Sequence, residues 1–435
     1  MNVRLRFSSL ALLALAAPAA AQQSALANYV ALGDSLTAGV TNGSLVETHQ
    51  RNSYPALIAR QAGLSAFQQP TVAEPGLPAE LQLVSLLPAT IISPKAASPG
   101  APNNTSLARP YNNLGVPTAN TPEYATRTTD GGGAFDLVLR GLGTAPAQAV
   151  ALRSAVYTLW IGNNDVLTAV VQGRAIDGTT LTPAGAFRSA YSQIVTALRS
   201  AGGNLVVATV PDVTAIPFAT TIPPFVVNPA TGLPVLVGGS QVPLIGPNGP
   251  LAPGTLVTLA ASTLLAQGVG IPTSVGGRGT PLPGEVILDQ GEVAAIQERV
   301  RVNNAAIREV AQANGATVLD LETIYAGFVQ NGRTVGGINL TEEFLTGGLF
   351  SYDGIHPTEL GYAILANEWI GALATAGAAT LPPVDLAPFI GLADAAGTTG
   401  IGASSTGRPR GPRAEFTAEA YEQLLRLFPA LDVGN

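Results

Sequence analysis

The sequence predicts an α/β protein, a three-layer α/β/α sandwich around a central parallel sheet, interrupted by a long insertion rich in Pro and Gly. Two observations carry this. Short strand-like runs of β-branched and aromatic residues alternate with helical stretches, which is the pattern of a parallel sheet covered on both faces. The helical stretches carry apolar stripes at helical spacing and stop at Gly or Asn-Gly, so the punctuation agrees with the periodicity.

The elements follow in order. Residues 28–32 read as a short buried strand ending at Gly33, with a helix beginning near Ser35. Residues 53–63 combine an N-cap, a Pro in the first turn and apolar residues at helical spacing. A strand is expected at residues 155–161, and a helix at 183–201 with Phe187, Tyr191, Ile194, Val195 and Leu198 on one stripe, stopped by Gly202 and Gly203. A third strand is expected at 204–210, a long amphipathic helix at 292–314, a strand at 316–321 and a last helix at 359–375. Residues 69–130, rich in Pro, Asn and Thr, read as loop-dominated. Residues 211–283 interleave Pro and Gly with Val, Ile and Leu, too apolar for a solvated linker, and are expected to form a packed insertion beside the functional site. Residues 376–435 read as an extended tail ending in a short helix at 414–427.

Composition narrows the function. A chain of 435 residues with 46% hydrophobic and 11% charged residues can bury a large core. The net charge of −7 and the lack of a basic run disfavour nucleic acid and anionic membrane surfaces as partners. Arg4 and Arg6, an apolar run over residues 10–17 and the small-residue site Ala19-Ala20-Ala21 have the layout of a secretory signal peptide over residues 1–21. A secreted or periplasmic domain over residues 22–375 is then expected, with the insertion at about 211–283. No later apolar run approaches the roughly 20 residues that a membrane helix needs. With no cysteine and no paired histidines at ligand spacing, neither a disulfide, a metal nor a cofactor is expected.

The chemistry lies in two distant stretches, YVALGDSLTAGV at residues 29–40 and DGIHP at residues 353–357. A serine hydroxyl is a weak nucleophile at neutral pH and needs a base to take its proton. Only two histidines exist, His49 and His356, and only His356 stands three residues after an aspartate, Asp353, that could orient it. Ser35 sits where a strand gives way to a helix, at the carboxyl ends of the strands where open α/β sheets bind ligands. An oxyanion requires convergent donors. WIGNNDV at residues 160–166 offers the amides of Asn163 and Asn164, and NNLGVP at residues 112–117 offers the N–H of Gly115. His49, in the polar stretch ETHQRNSYP, reads as a solvated loop histidine. Glu322 reads as a residue of a helix's first turn rather than a catalytic acid.

These four stretches, in this order over residues 29–362, resemble the sequence blocks of the SGNH hydrolases, also called GDSL esterases and lipases. The resemblance implies a flavodoxin-like sandwich and hydrolysis of carboxylic esters through an acyl-enzyme. It implies Ser35 as nucleophile and first oxyanion donor, Gly115 and Asn164 as the other donors, His356 as base, Asp353 as its orienting acid, and Asp34 in a structural role. Asn163 falls on a variable position and is left out of the oxyanion hole. NNLGVP lacks the second glycine often seen in that block. The apolar insertion favours lipid or medium-to-long acyl esters, with a sugar O-acetyl esterase or lysophospholipase as alternatives on the same fold. A non-catalytic cell-surface binding protein is the alternative of another class.

Overall fold

Residues 26, 28–85 and 90–390 are described by the structure, a computed structural model. The expected leader and the expected C-terminal helix lie outside these residues. Five strands form one all-parallel sheet: β1 (Val30–Gly33), β2 (Asn113–Gly115), β3 (Val156–Trp160), β4 (Asn204–Ala208) and β5 (Thr317–Leu319), in spatial order β2-β1-β3-β4-β5. The helices that matter for the site are α1 (Ser35–Ala38), α2 (Tyr54–Gln61), α3 (Asn164–Val171), α4 (Ala184–Ser200), α5 (Gln290–Ala313), α6 (Leu321–Asn331) and α7 (Glu359–Thr375).

Side chains alternate across a strand, so each strand feeds two cores. Val30, Leu32, Tyr157, Leu159, Leu205 and Val207 point to the face covered by α4 and α5. Ala31, Val156, Trp160, Val206 and Ala208 point to the face covered by α2 and α7. This is the three-layer arrangement expected from the strand–helix alternation. α5 starts at a capping box in which Asp289 accepts from Glu292 N–H while the Glu292 carboxylate accepts from Asp289 N–H. α7 is apolar on nearly every side because it lies between the sheet and α2, where Trp369 stacks on Tyr54 at 5.2 Å between ring centroids.

Three local expectations change. The segment 69–130 is not loop alone: it contributes β2, an edge strand of the main sheet, and an antiparallel hairpin, Leu81–Ser85 with Ile91–Pro94. β2 escaped notice because three residues are too few to show a period. The helix at Ser35 is a single turn, ended by Gly39 in the left-handed region at φ 85°. The expected extended tail packs back on the domain as far as residue 390: Leu381, Val384 and Phe389 are buried against the α7 core. The insertion does pack, around its own cluster of Val226, Val242, Leu244, Val257, Leu282 and Ile287.

Trp369 is fully buried with its ring on Tyr54. Trp369→Ala should lower unfolding free energy by about 3–5 kcal/mol, read as a lower urea midpoint at unchanged slope.

Candidate active site

Gly33, the last residue of β1, is in register with Gly115 on β2 and with Trp160 on β3. Three parallel strands therefore end level, and the residues after them arrive at one rim of the sheet. The chain also switches direction here, β2 lying on one side of β1 and β3 on the other, which opens a crevice at the strand ends. Ser35 follows β1 into this crevice, and Asn163 and Asn164 follow β3.

The turn that carries Ser35 is held by Asp34. One oxygen of its carboxylate accepts from Leu36 N–H at 3.0 Å and the other from the Asn163 side-chain amide at 2.8 Å, so the ends of β1 and β3 are tied together. Burial pushes the Asp34 carboxyl up to about 6, against the lowering effect of the Asn163 and Leu36 hydrogen bonds. Asp165 is likewise pushed up to about 6 by burial, with Thr121 N–H and hydroxyl donating to it.

The histidine comes from the other end of the chain. Ser351 N–H donates to the His356 carbonyl at 2.8 Å and closes residues 351–356 into a short loop just before α7. Gly354 turns it at φ 67°, and a Cβ there would fall 2.7 Å from Leu259 and 2.9 Å from Phe218 N, so the insertion is packed onto this loop. Phe218 N–H in turn donates to the Gly354 carbonyl at 2.9 Å. Within the loop, His356 Nδ1 lies 2.6 Å from Asp353 Oδ2, and His356 Nε2 lies 2.8 Å from Ser35 Oγ. The Asp353 carboxylate also accepts from Gly43 N–H at 2.8 Å, Ile355 N–H at 2.9 Å, His356 N–H at 2.8 Å and the Ser351 hydroxyl at 3.2 Å. Burial alone would raise its pKa, but the interaction with the His356 ring and the N–H groups of His356 and Ile355 outweigh burial and hold it below the usual carboxylate range. An ionised carboxylate only accepts, so the Nδ1 of His356 must carry the proton and the Nε2 lone pair is left facing the Ser35 hydroxyl.

The expected oxyanion donors are placed less uniformly. Ser35 N–H, at the first position of α1, donates to no carbonyl among the described residues. Asn164 directs its amide at the Ala119 carbonyl, 3.1 Å away, which leaves its second amide hydrogen. Gly115 departs from expectation. Its one N–H donates to Asn113 Oδ1 at 2.9 Å, and a Cβ at Gly115 would lie 2.3 Å from Ala38 N. Here the glycine provides room for α1 to sit on β2. Thr118, a few residues on, takes φ 67°, an unusual conformation for a β-branched side chain that marks the turn at the rim of this crevice.

Beside Ser35 and His356 opens a cavity of about 140 Å³. Leu36, Trp160 and Asn163 line it near the serine, Leu321, Ile324, Tyr325 and Phe328 along α6, and Gly361, Ile364, Leu365 and Glu368 along α7. The insertion contributes Pro211, Val213 and Ile216. Arg333 also lines the cavity and is paired with Glu368 at 2.6 Å. Among the described residues, no group of three His, Asp or Glu side chains could hold a metal ion.

A family model described as GDSL-like Lipase/Acylhydrolase matches residues 29–369, more than half of the chain and all the residues brought together here. The chain belongs to this family. It is a carboxylic ester hydrolase. No sequence among curated proteins matches it. Similar solved structures include the lipase/acylhydrolase from Enterococcus faecalis, at 14% identity and TM-score 0.33 over 82% of this chain and 98% of that one. Others are the extracellular lipase from Streptomyces rimosus, at 16% identity and TM-score 0.33 over 80% and 98%, and a phospholipase A1 from Streptomyces albidoflavus, at 17% identity and TM-score 0.30 over 80% and 98%.

His49 corrects the sequence reading outright. It is buried, 6% exposed, with Nε2 2.7 Å from Glu80 Oε1 and Nδ1 2.7 Å from Glu359 Oε1. Its partners are 31 and 310 positions away, so no local pattern could have paired them. Glu322 stands in the first turn of α6, as expected, and pairs with Arg308 at 2.7 Å.

The clearance at Gly115 gives a test of the GDSL-type site. Gly115→Ala forces β2 and α1 apart and should cost about 1–3 kcal/mol together with a fall in kcat. Calorimetry and ester hydrolysis on the purified variant read both, and wild-type values for both would refute the packing role.

Proposed function

We propose that this ester hydrolase acts on medium-to-long acyl esters through an acyl-enzyme in which Ser35 is the nucleophile, His356 the base and Asp353 its orienting acid. Ser35 Oγ bonds to the ester carbonyl carbon as its proton passes to His356 Nε2. The carbonyl oxygen becomes an oxyanion, with Ser35 N–H and the Asn164 amide as its donors. When the intermediate collapses, the carbon–alkoxide bond breaks and His356 returns the proton to the leaving alcohol. Water, deprotonated by the same nitrogen, then attacks the acyl-enzyme and frees the acid and Ser35. The imidazolium that forms twice in this cycle faces an ionised Asp353. The leader-like N-terminus supports a reaction outside the cytoplasm.

The observation that carries the substrate half is the cavity. Ser35 and His356 line it, and the α7 residues that line it span Gly361 to Glu368, a run of about 10 Å at the helical rise of about 1.5 Å per residue. A zig-zag hydrocarbon with bonds of about 1.5 Å advances roughly 1.25 Å per carbon, so this run accepts about eight carbons. Each buried methylene contributes about 0.8 kcal/mol, which favours a fatty acyl group over an acetyl group in such a lining.

Three outcomes test the reading. Ser35→Ala should lower hydrolysis of an activated ester by at least about a thousandfold while circular dichroism stays native; retained activity would remove the serine from the mechanism. Across a nitrophenyl ester series, kcat/KM should climb from acetate to about octanoate, as each methylene is buried; a preference for acetate would favour the sugar O-acetyl esterase instead. Activity should also decline on the acid side, where the base carries a proton, and a flat profile there would exclude His356 as base.

A further inference from the structure

His49 takes no part in the chemistry proposed above, yet it is one of the most tightly engaged side chains near the site. Its ring lies between two carboxylates at 2.7 Å on either side, Glu80 and Glu359. A neutral imidazole has a single N–H, whereas two ionised carboxylates need two donors. The geometry therefore matches an imidazolium that donates to both.

Each carboxylate leads to one flank of the loop that carries Asp353 and His356. On the upstream side, Glu80 Oε1 also accepts from the Asn42 amide at 2.8 Å. Asn42 Oδ1 accepts from Tyr352 N–H at 3.1 Å, Asn42 N–H donates to Ser351 Oγ at 2.9 Å, and the next residue, Gly43, donates its N–H to Asp353 Oδ2. That oxygen is the one His356 Nδ1 contacts. On the downstream side, Glu359 is the first residue of α7, three positions after His356.

We propose that His49 is a positioning residue for the acid–base loop: by bridging Glu80 and Glu359 it fixes both flanks of residues 351–359 and so aims Asp353 and His356 at Ser35. The inference rests on the acyl-enzyme reading of that site. A loop anchored at only one end would let the His356 ring swing from the serine, and misplacement by about 1 Å can cost on the order of a hundredfold in rate.

The bridge is also a proton-dependent latch. Burial alone would lower the pKa of His49, but hydrogen bonds and charge from Glu359 and Glu80 outweigh it and raise it to about 9. Other charges face the cluster. Lys95 lies 3.3 Å from Glu80 and 3.5 Å from Glu74, and the Arg60 guanidinium on α2 lies within the electrostatic reach of Glu359. Glu47 and Arg51, on either side of His49 in sequence, pair with each other, and Asp353 and His356 lie beyond Gly43. Because the folded-state pKa is raised above the ordinary histidine value of about 6.5, the stabilisation is complete below that pH and is lost as pH rises through about 9.

The test is kcat against pH for the full-length wild type, His49→Gln and Glu359→Gln, normalised to the fraction of Ser35 labelled by a fluorophosphonate. The wild type should lose activity on the alkaline side through about pH 9. Glu359→Gln removes one of the two charges that hold the proton, so its alkaline fall should move to lower pH. His49→Gln, which cannot donate to two carboxylates, should show kcat reduced about tenfold or more with KM little changed and no alkaline fall in that range. His49→Lys, which restores a cation with several donors, should recover part of the neutral-pH rate. A wild-type alkaline limb that Glu359→Gln does not move, or a His49→Gln variant that loses thermal stability but keeps wild-type kcat, would overturn the positioning role. Activity surviving in Ser35→Ala would instead overturn the acyl-enzyme reading on which the inference rests, so the two failures are distinct.

Discussion

The register of β1 between its two neighbours is the constraint on which the rest of the molecule depends. Gly33 is level with Gly115 on one side and Trp160 on the other, so the turns that follow three strands meet at one rim. A one-residue slip would exchange the two faces of β1 and put Val30 and Leu32 where Ala31 packs, so the two cores fix the register. Apolar packing on both faces thus sets the place of the polar site. The close approach of α1 to β2 at Gly115 follows from the same alignment.

Buried charge is the second organising feature, and it is handled in three ways. Asp353 is surrounded by donors and stays ionised, which fixes the tautomer of His356. Asp34 has fewer donors and burial raises its pKa, and its two carboxylate oxygens join the ends of two strands. His49 is held between two carboxylates. A buried ion pair gains little net stability over an apolar replacement but is costly to break on one side, so such pairs act chiefly as fixed struts. The strut here joins the hairpin segment, the 41–44 turn and α7, three parts of the chain with no shared core cluster between the polar groups.

The insertion and α6 convert a general crevice into a particular one. Pro211, Val213 and Ile216 on one side and Ile324, Tyr325 and Phe328 on the other enclose the cavity that starts at Ser35. The insertion is also bonded to the acid–base loop through Phe218 and Gly354. The cavity wall and the placement of His356 are therefore mechanically connected, because Val213, Ile216, Phe218 and Ile355 pack in one core.

Much was legible from sequence because it is local. The strands at 28–32, 155–161 and 204–210 and the helices at 183–201 and 359–375 announce themselves through hydrophobic period and Gly punctuation. Asp353 and His356 could be paired because they stand three positions apart and the chain has only one other histidine. What lay beyond the sequence has long-range causes. β2 is three residues whose strand character comes from pairing with β1, and the N–H of Gly115 is committed by the side chain of Asn113. His49 stands in a polar stretch that looks solvated until Glu80 and Glu359 close on it. The sequence by itself determined the layered fold and the chemical identity of the serine, acid and histidine, since these depend on period, residue type and short spacing. Only the tertiary structure decided which polar groups are buried together, because desolvation and pairing are set by neighbours tens to hundreds of residues away.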